Sequence, residues 1–267
     1  MLIDSVIIVL REVLEAALLI TLLLAAARRL ALPRPGFVLA IGLGMVGAWL
    51  FGASLRHVSG WFDGVGYEVV NSGLQLLIYL CILAVIGLLA SAQGRGLRPR
   101  ALLPWSMVLA VALAITREGA EILLYFSSFV HQIGATADAL AGAALGLGVG
   151  FSVGALFYYV LIALPRQSVL PVVVVLLALV GAGMCAQAVA LLIQADWLPA
   201  QPPLWNSASW LPEQSLPGQL LYALIGYEAT PTPLQAALYV ASMGAALGVF
   251  ALGRRSVSPV EPATDAP

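Results

Sequence analysis

The chain has 267 residues, of which 61% are hydrophobic and only 9% are charged. Soluble domains carry about 25% charged residues, so this composition excludes an ordinary soluble protein and indicates a chain that lies in membrane lipid. The formal net charge of −1 gives no reason to expect nucleic acid as a partner.

Apolar stretches of about 20 residues, long enough to cross the hydrocarbon core of a bilayer, recur along almost the whole chain. The first stretch lacks the basic n-region of a signal peptide and contains several charged residues, so we interpret it as a retained helix. The pattern predicts an all-α integral membrane protein with seven transmembrane helices, at roughly 3–27, 36–55, 68–91, 102–130, 139–163, 169–194 and 234–253.

Outside these helices the chain has two longer segments that do not form predicted spans. We expect one transmembrane domain over 1–255, with an outer loop over about 195–233 that contains a short surface helix at 216–225. The segment 256–267 is rich in Pro, Ser and Ala without apolar periodicity, which predicts a disordered cytoplasmic tail.

Arginines predict the orientation, because all twelve basic residues of the chain are arginine. Arg11 and Arg117 lie inside predicted spans, and of the remaining ten only Arg56 falls on the opposite side from the others. The positive-inside rule therefore places the N-terminus outside and the C-terminus in the cytoplasm. The nine agreeing residues are Arg28, Arg29, Arg34, Arg95, Arg98, Arg100, Arg166, Arg254 and Arg255.

One charged motif occurs twice within the predicted spans. Arg11-Glu12-x-x-Glu15 lies in the first span, and Arg117-Glu118-x-x-Glu121 lies in the fourth. The two spans run in opposite directions, so helices 1–3 and 4–6 are predicted to form an inverted-topology repeat, with a seventh helix added. Such a repeat is typical of transporters.

The spacing of each motif brings its charges together on one helix face. Positions i, i+3 and i+4 are neighbours on a helix surface, so each helix presents two carboxylates and a guanidinium. Charges at the bilayer centre cost about 2.5 to 3.5 kcal/mol each, so they need a partner or a wet cavity. Structural salt bridges would use one glutamate per arginine and leave the second over, which favours a bound cation. A proton pathway through the same carboxylates stays open.

Other polar residues are candidates for the pathway. Glu68, Asn71 and Gln75 form a stripe at the start of the third span, which either lines an entrance or is merely interfacial. Gln187 in the sixth span fits a hydrogen bond between helices better than metal ligation. Cys81 and Cys185 form no Cys-x-x-Cys pair, so neither a disulfide nor a thiolate metal site is expected.

The donor type narrows the choice of metal. Carboxylate oxygens are hard donors, which suit ferric iron well and ferrous iron or manganese acceptably, while magnesium and calcium remain open.

These motifs resemble those of the oxidase-dependent iron transporter family, which includes the high-affinity iron permease of yeast and bacterial ferrous/ferric iron permeases. The resemblance covers nearly the whole chain and departs from the family at Val13, where glycine is common. Besides the paired motifs it rests on Tyr67-Glu68, on the segment 182–188, and on Leu204-Trp205, Trp210-Leu211 and 224–227 in the outer loop.

The resemblance implies an iron permease of the bacterial inner membrane, and not an enzyme. It assigns iron binding to Glu12, Glu15, Glu118 and Glu121, with Arg11 and Arg117 as motif members. It implies iron, as Fe3+ or Fe2+, as the transported ion without an organic cofactor, and a ferroxidase or periplasmic iron-binding protein as partner.

Two other functions compete with iron import. One is a permease of the same fold for another metal, such as lead or manganese. The other is an intramembrane enzyme that uses paired glutamates to hold a water, although such enzymes usually need intramembrane histidines, and the predicted spans contain none.

Overall fold

The structure is a computed structural model that describes residues 2–32, 35–92, 97–127 and 133–255. Within these ranges it contains eight α-helices and no strand, which confirms the predicted all-α class. Arg34, Arg95 and the predicted tail 256–267 lie outside the described residues. The helices are α1 Leu2–Arg29, α2 Pro35–Val58, α3 Gly66–Ser91, α4 Leu97–Ser127, α5 Ile133–Ala163, α6 Arg166–Gln194, α7 Leu216–Ile225 and α8 Pro233–Arg255.

Five of the described helices are long and apolar enough to cross a membrane: α2, α3, α5, α6 and α8. Helices α1 and α4 have 28 and 31 residues, carry the two charged motifs, and are not among the five. The protein is therefore a multi-pass helical membrane protein. The count of seven spans stays a prediction.

Helix pairing places α1 and α4 at the centre of the molecule. Helix α1 packs most extensively against α5, and α4 packs most extensively against α2, while α1 and α4 also contact each other. Helix α3 packs against α6 and α4, and α8 covers α6 and α3. The result is that both charged motifs face the interior, flanked by a core that includes Leu19, Leu22, Ile82, Ile86 and Val173.

Helix α5 approaches α1 closely through glycines spaced four residues apart. A methyl group on Gly146 would lie 2.7 Å from the carbonyl oxygen of Val6, and one on Gly150 would lie 2.7 Å from Val13 Cγ1. Small residues at this spacing allow backbones in lipid to pack directly on each other. The contact continues at both ends of the stripe, at Gly142 and Gly154.

Helix α2 carries a matching stripe toward α4. A methyl group on Gly44 would lie 2.6 Å from Ile115 Cβ, and Gly119 of α4 packs on the Cβ of Ala48. The same face continues at Gly36 and Gly52, which contact Val108 and Leu123. We did not predict these stripes, although the four-residue spacing of small residues is visible in the sequence.

Helix α7 matches the predicted short helix, and it packs onto the bundle against α1 and α6. Ser215 caps its N-terminus by accepting a hydrogen bond from Gly218 N at 3.1 Å. Its last turn ends at Gly226, which has φ of 65° and lies against Gly183 of α6, where neither residue has room for a side chain. This contact holds the C-terminal end of α7 against α6.

Replacing Gly146 with leucine is expected to disrupt the contact between α1 and α5. The new side chain meets the backbone of Val6 and Leu10, which cannot move aside, so we expect a loss of about 1 to 3 kcal/mol or failure to fold. Gly148→Leu is the matched control, because a methyl group there has no neighbour within 4 Å. Thermal unfolding of both variants in detergent is the measurement, and equal losses would contradict the packing described.

Candidate metal-binding site

Three glutamates from the two motifs meet between α1 and α4. Glu12, Glu15 and Glu118 each offer one carboxylate oxygen within 4.8 Å of the others. All three side chains are buried. A cation placed among them would be held by hard oxygen donors from two different helices.

Each of these glutamates also keeps a buried oxygen without a hydrogen-bond partner, namely Glu12 Oε2, Glu15 Oε1 and Glu118 Oε2. An unsatisfied polar atom in a low-dielectric interior is costly, and for a carboxylate oxygen the natural remedy is a cation or a proton. The cluster therefore offers carboxylate oxygens as ligands for a cation, and a bound cation would pair with the three oxygens that lack a hydrogen bond.

Arg117 ties the cluster together. Its side chain is 4% exposed, and its Nη1 donates to Glu15 Oε2 at 3.2 Å and also pairs with Glu118 Oε1. Its Nη2 lies 3.1 Å from Glu121 Oε1. One guanidinium thus contacts three of the four motif glutamates.

Arg11 behaves differently from Arg117 although both open the same motif. Its side chain is 40% exposed, and its Nε lies 3.6 Å from Glu15 Oε1, the one ion pair that the described residues give it. Its guanidinium carbon lies 3.9 Å from the ring centroid of Tyr222 on α7, a cation–π contact. The two motifs have the same charged residues at the same spacing and differ in the contacts that these residues make.

Glu121 lies outside the group of three and faces α3. Its Oε1 accepts a hydrogen bond from Asn71 Nδ2 at 2.9 Å, and Asn71 Oδ1 accepts one from Arg117 Nε at 3.2 Å. Gln75 donates to Gln187 at 3.1 Å, which matches the hydrogen bond between helices predicted for Gln187. Gln187 Oε1 also accepts from Arg117 Nη2 at 3.5 Å.

A polar vestibule of about 250 Å³ opens onto Glu121 and both arginines from the side of the long loop. Two glutamates of the long loop, Glu213 and Glu228, line the vestibule. Burial and the neighbouring Glu213 raise the pKa of Glu228, against the effect of a 2.6 Å hydrogen bond from Gln235 Nε2. The other lining residues are Tyr67, Asn71, Gln75, Gln187, Ala190, Leu191, Gln194 and Tyr222.

A second cavity, of about 450 Å³, lies on the other side of the cluster, between the α1–α5 and α2–α4 pairs. Its walls are apolar except for Glu12, Glu118, Thr21 and two tyrosines. One of these, Tyr158, accepts a hydrogen bond from Arg28 at 3.3 Å near the end of α1. The cluster therefore separates two openings, one polar and one largely apolar.

Of the four glutamates to which the resemblance assigned iron binding, the structure brings three into one group and leaves the fourth on the vestibule side. Of the predicted polar stripe, Asn71 and Gln75 line the vestibule. Glu68 does not line it, and its Oε2 is buried without a hydrogen-bond partner. Cys81 and Cys185, for which no disulfide was expected, are free and buried.

Sequence reasoning missed the loop residues of the vestibule. It gave no role to Tyr222, Glu213 or Glu228, because their distance in sequence from the motifs gave no sign of contact. The signal available was the apolar run 216–225 between two acidic residues, which is a helix able to dock on the bundle.

Comparison with known proteins identifies the family of this chain. The family model described as the iron permease FTR1 family matches residues 88–257, well over half of the chain. The chain belongs to the iron permease FTR1 family. It is a transporter and not an enzyme, as predicted.

Individual members of the iron permease family are similar over almost their whole length. A ferrous iron permease EfeU of Yersinia pestis is 26% identical over 274 residues, covering 93% of each chain. Those of Shigella sonnei and Escherichia coli O157:H7 are 27% identical over 265 residues, covering 93% of this chain and 95% of theirs. No solved structure matches the chain.

Replacing Arg117 is expected to destabilise the protein far more than replacing Arg11. Arg117→Gln leaves the buried Glu15 and Glu118 and the partly buried Glu121 without their shared partner, a loss of about 3 to 5 kcal/mol. Arg11→Gln removes one longer pair, in which the arginine is partly exposed, and the cation–π contact with Tyr222, and should cost about 1 to 2 kcal/mol. Thermal or denaturant unfolding of the two purified variants measures the difference, and similar losses would show that the two motifs are equivalent in energy as well as in sequence.

Proposed function

We propose that this permease imports iron cations across the bacterial cytoplasmic membrane through the buried carboxylates of Glu12, Glu15 and Glu118, with Glu121 as the ligand nearest the entrance. The observation that carries the proposal is the group of three buried carboxylates, each with an oxygen lacking a hydrogen bond. Family membership supports iron as the cargo.

The charge balance of the two motifs favours a multivalent cation. When all four glutamates are ionised, the two arginines leave two negative charges in excess, and a buried excess of this kind is strongly unfavourable. One divalent cation neutralises it. Ferrous iron is therefore our first choice, and the relatives named ferrous iron permeases support it.

For topology we propose seven spans, α1 to α6 and α8, with the N-terminus outside. The pocket that joins the end of α1, the start of α6 and the end of α8 carries Arg29, Arg166 and Arg254, which supports a single arginine-rich cytoplasmic face. The vestibule with Glu213 and Glu228 is separate from this face and would open outward.

The helix contacts favour an inverted repeat of α1–α3 and α4–α6. Under such a repeat the pairing of α1 with α5 corresponds to that of α4 with α2, and α3 with α4 corresponds to α6 with α1, and all four pairs are in contact. The matching small-residue stripes of α2 and α5 support the same relation.

In the proposed pathway the cation enters the vestibule past Glu213 and Glu228 and reaches Glu121 first. Arg117 then stands between it and the other carboxylates, since its guanidinium contacts Glu15 and Glu118 as well as Glu121. We propose that the metal displaces this tethered cation, whose nitrogens keep Asn71 and Gln187 as partners. Exit follows through the cavity beyond Glu12.

The membrane potential can supply the driving force for entry, at about 2.3 kcal/mol per charge for each 100 mV. A ferroxidase or periplasmic iron-binding partner stays a prediction from the family resemblance. Lead and manganese remain the competing cargoes, because carboxylates do not by themselves select among such cations.

Uptake of radiolabelled iron into proteoliposomes that contain only this protein tests the site. Glu118→Gln and Glu15→Gln each remove one charged donor and should lower the initial rate by about tenfold or more, since disturbing a metal site costs 10-fold to 100-fold in affinity. Asp138→Asn is the matched control, because Asp138 is an exposed acid of α5 that lines neither opening.

Three arms separate the cargoes in the same assay. Iron is supplied as Fe2+ under ascorbate and as citrate-held Fe3+, and unlabelled Mn2+ or Pb2+ is added as competitor. Near wild-type uptake by both glutamine variants would refute the site. Stronger inhibition of labelled iron uptake by Mn2+ or Pb2+ than by the same concentration of unlabelled iron would refute iron as the cargo without refuting the site.

External pH should affect uptake through Glu228. Its raised pKa means that it takes up a proton at a higher pH than a solvated glutamate, so its attraction for a cation is lost early as the outside is acidified. We expect wild-type uptake to fall on mild acidification. The Glu228→Gln variant has no charge at this position, so its uptake should be slower at neutral pH and should depend less on external pH. Initial rates across external pH at fixed internal pH measure this, and parallel profiles would contradict it.

A further inference from the structure

The arginine-rich face contains a pocket that the transport pathway does not use. It has a volume of about 480 Å³ and lies where the end of α1, the start of α6 and the end of α8 meet. Arg29, Arg166 and Arg254 line it. None of the ion pairs found in the described part of the chain involves these three arginines.

The arginines are partly fixed in place. Arg29 Nε donates to the backbone carbonyl of Arg166 at 2.9 Å, which joins α1 to α6 and leaves its two terminal nitrogens available. Arg254 lies 5.8 Å from the ring of Phe250, a cation–π distance. The first turn of α6 adds backbone N–H groups and the positive end of the helix dipole.

Apart from the arginines and Gln167, the pocket wall is apolar, formed by Leu30, Ala92, Leu170, Pro171 and Phe250. A smaller cavity of about 220 Å³ shares Arg29 and Arg166 and adds Arg28. Arginine forks match the oxygens of a phosphate group, and basic pockets between transmembrane helices bind phospholipid head groups. A pocket that combines three such forks with apolar walls suits an amphiphile that carries a phosphate.

We propose that this pocket binds the phosphate of an anionic phospholipid, with Arg166 and Arg254 as its principal contacts and the adjoining apolar wall holding the start of an acyl chain. The bound lipid fastens α1, α6 and α8 to one another at this face. The proposal stands on the pocket alone and is independent of the cargo and the direction of transport.

Native mass spectrometry of the purified protein in mixed micelles of phosphatidylglycerol and phosphatidylcholine tests it. We expect wild type to retain phosphatidylglycerol preferentially and the double variant Arg166→Gln/Arg254→Gln to bind it about tenfold more weakly, which is about 1.4 kcal/mol. The control Arg56→Gln/Arg255→Gln removes the same charge from exposed arginines that do not line the pocket, and should bind as wild type does.

The variant Arg166→Lys/Arg254→Lys keeps the charge without the forked geometry and should give an intermediate affinity. Equal retention of the two lipids, or an equal loss in the control, would overturn the proposal. Inorganic phosphate that displaces the lipid at low millimolar concentration would overturn the lipid as the source of the phosphate. Size-exclusion profiles matched to wild type ensure that lost binding is not lost folding.

Discussion

The buried contact of one guanidinium with three carboxylates is the constraint on which the rest of this structure depends. Charges in the membrane interior are expensive, and Arg117 offsets them for Glu15, Glu118 and Glu121 at once. Helices α1 and α4 must therefore stay in contact, and α3 must bring Asn71 to the vestibule side of the same guanidinium. The small-residue stripes of α2 and α5 let these helices pack closely around the charged pair.

Much of this arrangement follows from the sequence, and the reasons are local. Apolar length predicted where the helices lie, and spacing within each motif predicted which charges share a helix face. Spacing says nothing about which partner a side chain reaches on another helix. That is why Arg11 and Arg117, indistinguishable in their motifs, differ so much: α7 offers Arg11 the ring of Tyr222, and α3 offers Arg117 the amide of Asn71.

Val13, where glycine is common in the family, is accommodated by a small residue on the neighbouring helix. In α4 the corresponding motif position is Gly119, which is the small partner and packs on Ala48 of α2. In α1 the position is a valine, and α5 supplies the small partner instead, as Gly150. The close approach is kept in both pairs while the residue that permits it changes helix. A motif glycine can thus be lost from one helix when its neighbour provides the space.

The vestibule and the apolar cavity share no lining residue, and a layer of motif side chains lies between them, with Arg117 and Glu121 lining the vestibule and Glu12 and Glu118 lining the cavity. In the proposed pathway this makes leakage the main hazard, since any path between the two openings would also admit protons and monovalent ions. A permanent positive charge within that layer is a barrier of the kind that excludes small cations from narrow pores. In the proposed pathway sodium or potassium, with a single charge, competes poorly with a guanidinium already bound to three carboxylates. Arg117 would then prevent the leakage of monovalent ions through the permease, although a multivalent metal can displace it.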